Sequence, residues 1–279
     1  RDVFVSAAKE LGAEVNVQNA NGDVEEQISQ IEYFIKKQVD VIVVVAGDCE
    51  ALSDVMIKAR EAGIKTVSYD RLIMNAGCDL YISFDNTEVG RLMAESMLEN
   101  IPDGGDIFLI QGPLTDNNVS LIREGIDETL AGSNLNVVYE ANCPGWIAEN
   151  AYTYTKEGLK LDRNVKGIIC GNDDLASQAF RALSEERLAG KVCVTGQDGD
   201  LAACQRIVEE TQEMTAFKSV EQEASLAAKC AVLLGLGEEI EEVQDTAYDG
   251  TYNVPYLELQ PIAVTKENMD EVIIKGGFH

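Results

Sequence analysis

Residues 40–45, DVIVVV, form an unbroken apolar run, the pattern of a parallel strand buried on both faces. Ahead of it Val24, Ile28, Ile31, Phe34 and Ile35 recur at helical spacing, with Asp23 placed as N-cap and Glu26 in the first turn. Behind it Leu52, Val55, Met56 and Ala59 repeat that spacing, and Gly63 stands where a helix should end. IKTVSY at 64–69 is the next strand. The alternation continues with strands at 79–84, 106–110, 135–139, 166–170, 191–195 and 213–217. Helical stretches near 87–99, 118–131, 147–160, 174–186, 199–210 and 220–234 separate or flank them. Strands alternating with helices predict an α/β protein built on doubly wound parallel sheets. A length of 279 residues exceeds the usual single domain, so two such lobes are expected.

The start of the chain departs from this pattern. A helix, RDVFVSAAKELG, comes first and a strand, AEVNVQ at 13–18, follows it. A βαβ lobe should begin with a strand ahead of that helix, lying between the strands at 13–18 and 40–45. The first strand is therefore read as missing, either truncated or supplied by another chain, and the first-lobe sheet is expected to be interrupted there. A first residue of Arg rather than Met points to a processed or trimmed product.

In doubly wound sheets ligands bind beyond the carboxyl ends of the strands, near the point where strand order reverses. Those positions carry Asp70 and Arg71, then Asp116, Asn117 and Asn118, then Asn172, Asp173 and Asp174, then Gln197 and Asp198, and finally Lys218. Carboxylates, amides and cations without an evident nucleophile match sugar hydroxyls, which donate and accept at once. Trp146, the only tryptophan, lies in the loop segment CPGWIAEN, where its ring can stack on the C–H face of a pyranose. Each residue also has a plainer role open to it. Asp116 and Asp173 stand where helix caps stand, and a lone Trp is often core. The pattern by itself gives a polar ligand in a doubly wound protein.

Charge and composition narrow the partners. Lys plus Arg is 22 against Asp plus Glu 49, a net charge of −27, which repels nucleic-acid phosphates and anionic lipid. No nucleic-acid partner and no direct membrane insertion are expected, and no apolar run reaches the roughly 18 residues of a spanning helix. The seven cysteines are odd in number and form no C-x-x-C pair, so they read as free thiols. A single histidine, His279, excludes a His-based triad or a multi-histidine metal site. No cofactor is expected, and no paired acid and nucleophile marks an enzyme.

The segments VSYDRLI, YISFDNTEVG, GPLTDNN, GWIAENA, GNDDLA, VTGQDGDLA, TAFK and VIIKGGFH together resemble the type I periplasmic-binding-protein family. Within it, they are similar to the D-xylose-binding proteins of bacterial sugar ABC transporters. The resemblance runs in order from Arg1 to His279. It implies two α/β lobes, 1–84 with 219–256 and 85–218 with 257–279, crossing near Asp85, Lys218 and Leu257 and enclosing a monosaccharide. It further implies that Asp70 and Arg71 bind ring oxygens, that Asp116 and Asn118 hold hydroxyls from the other lobe, and that Trp146 stacks on the sugar. Asn172, Asp198 and Lys218 complete the implied set. D-xylose is the ligand the GWIAEN and GND segments favour, with glucose or galactose as the alternative. The implied partner is an ABC permease or, on a second reading, a membrane sensor kinase. The implied location is the periplasm or the outer face of the membrane, lipoprotein-anchored if the organism is Gram-positive. Family members also begin with a strand and a ligand-contacting loop that do not precede Arg1 here.

Overall fold

The structure, a computed structural model, describes residues 1–243 and 245–278. His279, on which the single-histidine reading falls, lies outside the described residues. The elements in chain order begin with α1 (Asp2–Glu10), α2 (Val24–Lys37), β1 (Val41–Val44), α3 (Ser53–Glu61), β2 (Lys65–Tyr69) and β3 (Leu80–Phe84). They continue with α4 (Asn86–Asn100), β4 (Gly105–Gln111), α5 (Asn117–Leu130), β5 (Leu135–Asn142), α6 (Glu149–Leu161) and β6 (Gly167–Cys170). Then come α7 (Asp173–Glu185), β7 (Cys193–Gln197), α8 (Leu201–Val208), β8 (Met214–Phe217) and α9 (Val220–Leu236). The last strands are β9 (Asp245–Tyr248), β10 (Asn253–Leu259) and β11 (Ile262–Val264).

Local chemistry explains the helix starts. The Asp23 carboxylate accepts the N–H of Glu26 and opens α2; Asp85 does the same for Glu88 in α4, and Ser219 for Gln222 in α9. Gly237, at φ 72°, ends α9 in the left-handed conformation that a C-terminal cap needs.

The chain divides into two compact units. The first contains Arg1–Phe84, Thr115–Asn118 and Ser219–Leu259; the second contains Asp85–Leu114, Val119–Lys218 and the chain from Gln260 on. Two short stretches fall on the other side of the division expected from sequence. Thr115–Asn118 groups with the first unit, where the Cys49 N–H donates to the Thr115 carbonyl (3.1 Å). Leu257–Leu259 also stays there, because β10 pairs with β3 through Leu259 opposite Phe84.

The first unit holds a five-stranded sheet in the order β1-β2-β3-β10-β9. All neighbours are parallel except β9, which runs antiparallel to β10. β3 is buried at every position, as a central parallel strand should be, and the stacked rings of Tyr81 and Tyr256 (4.6 Å) join β3 to β10. The strand expected at 13–18 is not formed. The segment enters no ladder, and β1 is the sheet edge among the described residues. A strand is defined by its neighbour's hydrogen bonds, and among the described residues no strand pairs with this segment. Val17 and Val45 are exposed in consequence.

The second unit holds a six-stranded sheet in the order β11-β8-β7-β6-β4-β5, parallel except for the short antiparallel β11. Strand order reverses between β4 and β6, since the chain passes outward to β5 from one and to β7 and β8 from the other. α4 and α5 cover one face in backbone contact. A Cβ on Gly90 would fall 2.0 Å from the Ile122 carbonyl oxygen, and one on Gly125 would fall 2.0 Å from that of Thr87. Only glycine admits this approach. Gly90→Ala or Gly125→Ala should push the helices apart and lower stability by about 1–3 kcal/mol, the cost of overpacking. Urea unfolding of the two variants measures this; a loss below a few tenths would show that the helices separate freely.

Candidate functional site

In the first unit β2 delivers Asp70 and Arg71 just past its carboxyl end. Asp70 sits in the left-handed region at φ 64°, held by its N–H to the Ile82 carbonyl (2.8 Å) and by its carbonyl, which accepts from Ser83 Oγ and Asn118 Nδ2 (3.1 Å). Arg71 Nη1 donates to the Ala46 carbonyl (2.9 Å), so the guanidinium is anchored on the backbone after β1. Its Nε lies 2.9 Å from Asp116 Oδ2 and 3.7 Å from Asp70 Oδ2. The Nε–H is not aimed at the Asp116 oxygen, so the contact is an ion pair without a directed hydrogen bond. Asp116 is almost fully buried, and its other oxygen accepts the Asn118 N–H (3.0 Å). It therefore shapes the start of α5 and neutralises Arg71 together. Asn118 is buried too, and its Oδ1 has no partner, leaving an acceptor available to a hydroxyl.

In the second unit the parallel strands bring residues far apart in sequence to one sheet edge. Asn172, two residues past β6, caps α7, its Oδ1 accepting the Leu175 N–H (2.9 Å), so only its Nδ2 end remains for a ligand. After β7, Asp198 takes φ 99°, and its Oδ1 lies 3.1 Å from Lys218 Nζ, which follows β8. Trp146 closes a single 3-10 turn, Pro144–Trp146, in which Gly145 (φ 59°) and Trp146 (φ 58°) are both left-handed. The turn lays the indole across the backbone at the strand-order reversal. A Cβ on Gly112 after β4 would stand 2.3 Å from the ring, and one on Gly171 after β6 would stand 3.2 Å from it. The ring is half-buried against the core of this unit. It is core on one side.

Two residues outside the ligand set implied by sequence stand out. Gln111, the last residue of β4, is buried, and neither of its amide atoms has a hydrogen-bond partner among the described residues. Its signal was the polar residue closing GDIFLIQ, one position beyond the apolar run. Asp173 is fully buried, and its carboxylate accepts from Thr215 Oγ1, Gln212 Nε2 and the N–H groups of Gly199 and Asp200. Burial pushes its carboxyl up to about 7, with the charge of Asp198 adding to this and the bonds from Thr215, Gln212 and Asp200 pulling it back.

The cysteines are free, and burial raises their thiols, to about 11 for Cys143, Cys193, Cys204 and Cys230 and to about 12 for Cys49. Among the described residues no group of three or more His, Cys, Asp or Glu is placed to hold a metal ion.

Two α/β units, each carrying amides and paired charges at its strand ends, define a solute-binding protein of the two-unit α/β class. The chain belongs to the periplasmic binding protein domain family, whose model matches residues 1–239. It is 44% identical to the D-xylose-binding periplasmic protein of Haemophilus influenzae, over all of this chain and 85% of that one. It is 41% identical to the D-xylose-binding periplasmic protein of Escherichia coli, over all of this chain and 86% of that one. Among solved structures it is similar to an ABC transporter solute-binding protein from Clostridium phytofermentans with bound β-D-glucose. That match has a TM-score of 0.90 and 27% identity, and covers all of this chain and 92% of the other.

Two outcomes follow from this geometry. Gly112→Ala should displace the indole and shift the single-tryptophan emission to the red, read by fluorescence of the sugar-free protein; an unchanged spectrum would mean the ring is seated elsewhere. Asp173 should titrate near 7 by carboxyl-carbon NMR, against an ordinary 3.8. Between those values the folded chain holds a proton that the unfolded chain lacks. Its contribution to stability is thus complete below the lower value and is lost as pH rises through the upper one.

Proposed function

We propose that this chain is the sugar-capturing component of a bacterial ABC importer, that it works in the periplasm, and that D-xylose is its ligand. The observation that carries the reading is the half-buried ring of Trp146 at the strand-order reversal of a sheet whose neighbouring strand ends bear Asn172, Asp198 and Lys218. A pyranose offers one face of C–H bonds and a rim of hydroxyls. An aromatic ring with amides and paired charges beside it matches both. From the first unit Asp70, Arg71, Asp116 and Asn118 add acceptors and donors of the same kind. The ligand named for the two periplasmic relatives, each more than 40% identical over this whole chain, supports xylose over other sugars. Delivery to a membrane permease is the role that goes with such capture.

A pentose lacks the hydroxymethyl group of a hexose, so a pocket shaped around it rejects hexoses by steric exclusion. Calorimetry should find D-xylose bound at least tenfold tighter than D-glucose, a difference of about 1.4 kcal/mol. Equal affinities would favour a broad sugar specificity instead. Saturation with xylose should change Trp146 emission, and Trp146→Ala should weaken binding by roughly 1–3 kcal/mol while the protein stays folded. A spectrum indifferent to sugar, with a mutant that unfolds, would make Trp146 a core residue only.

A further inference from the structure

We propose that Asp173 is a positioning residue for sugar recognition: from the interior of the second unit it holds the Asp198–Asp200 turn so that Asp198 is presented beside Lys218. This rests on the reading of Asp198 as a sugar ligand.

Asp173 is the first residue of α7, a position where an acidic side chain ordinarily reaches back to the N–H groups of its own helix. Here that task is performed by Asn172. The Asp173 carboxylate turns inward instead, towards β7, β8 and the start of α8. Oδ2 accepts the N–H of Gly199 (3.0 Å), the N–H of Asp200 (3.0 Å) and the hydroxyl of Thr215 (2.7 Å). Oδ1 accepts from Gln212 Nε2 (3.0 Å). Two of the four donors are the backbone of the turn that carries Asp198, and they belong to the N-terminus of α8, where a negative charge is favoured.

The turn needs such a hold. Asp198 has φ 99°, a conformation that costs energy for any residue with a side chain. It is pinned on one side by its own N–H to the Ala216 carbonyl (2.9 Å) and on the other by the two amides on Asp173. Released on the second side, Asp198 relaxes towards negative φ and its carboxylate leaves the ammonium of Lys218.

The surroundings require a carboxylate rather than any buried polar group. Each oxygen meets only groups that are donating to it. Gln212 cannot reverse its amide, because its Oε1 accepts from Arg206 Nε (3.0 Å). Arg206 is buried and fixed in turn on Ser177 Oγ (2.9 Å). An asparagine amide nitrogen at 173 would therefore face a donor in either orientation. Space is as tight as the hydrogen bonding, since a Cβ on Gly196 would lie 2.3 Å from Asp173 Oδ1. The charged and titratable groups around the carboxylate are Asp198 and Asp200 on the turn, Arg206 and Cys204 on α8, and Cys170 on β6. Arg206 is the cation among them.

The test uses Asp173→Asn and Thr215→Val in the whole chain at about pH 8, where the carboxylate is ionised. Amide hydrogen exchange is followed in sugar-free protein, and D-xylose affinity is measured by calorimetry. Asp173→Asn should accelerate exchange at Gly199 and Asp200 at least tenfold, leave Ile168 and Ile169 in β6 unchanged, and raise the xylose Kd at least tenfold. A general loss of stability would instead move all four amides together, and that result overturns the proposal. So does a folded variant with native exchange, or one with a loosened turn and native affinity. If Asp173→Asn does not fold, Thr215→Val decides. It removes one of the donors and an acceptor for the Gly199 N–H (3.1 Å), and should raise both quantities about threefold; no change in either overturns the proposal. If the unsubstituted protein binds no sugar, the ligand reading falls alone, and the exchange comparison still decides whether Asp173 holds the turn.

Discussion

Parallel pairing is the constraint on which the rest depends, because it forces successive strands to finish on the same edge of their sheet. In the second unit β4, β5, β6, β7 and β8 all run one way, with helices on the faces. Their interiors are consequently apolar: β6 and β8 are buried at every position. Apart from the hydroxyls of Thr195 and Thr215, polar side chains of the central strands collect where the strands end. Gln111, Asn142, Asn172, Gln197 with Asp198, and Lys218 become neighbours along one edge although more than a hundred positions separate the first from the last. The crossover helices that make parallel pairing possible start at that edge as well. Their N-termini explain why Asn172 and Asp116 serve local structure and a prospective ligand together.

The same constraint decided what the sequence disclosed. β1 through β8 were legible as largely apolar runs, with ends displaced by up to three residues, although β5 at the sheet edge is mostly exposed. β9, β10 and β11 were not. They pair antiparallel or lie towards a sheet margin, β10 contains Pro255 and alternates with exposed residues, and β11 has three residues. Residues 13–18 show the converse error. AEVNVQ has the alternation of a strand, but alternation is a property of a segment and a ladder belongs to a pair. At the candidate site, position after a strand was visible in sequence, whereas Asp173's inward turn was not. Its role depends on Thr215 and Gln212, some 40 positions away, and no spacing within α7 announces them.

Backbone conformation carries a further part of the site. Among the described residues, non-glycine residues at positive φ include Asp70, Trp146 and Asp198, three of the side chains placed at the strand ends. An aspartate tolerates this region better than most residues; a tryptophan does not. Each such residue costs on the order of 1 kcal/mol or more, and it persists because its surroundings over-determine it. The devices differ. Asp70 is held by bonds on both sides of its peptide, Asp198 by the buried carboxylate behind it, and Trp146 by a ring that fits only over two glycines.

Charge then selects the ligand class. In the first unit Arg71 stands against two carboxylates, Asp70 and Asp116, a local sum of one positive and two negative charges. In the second unit Lys218 stands against Asp198, one of each. Neither cation is uncommitted, and the surrounding protein is strongly acidic. A sugar phosphate or sugar acid would bring a negative charge to groups that are already neutralised or net negative, and would be desolvated there without compensation. A neutral polyhydroxylated ring needs no counter-charge. Hydroxyl groups can donate to carboxylates and accept from cations without breaking such pairs. The pairing of Arg71 and Lys218 thus leaves neither cation uncommitted for a negatively charged ligand.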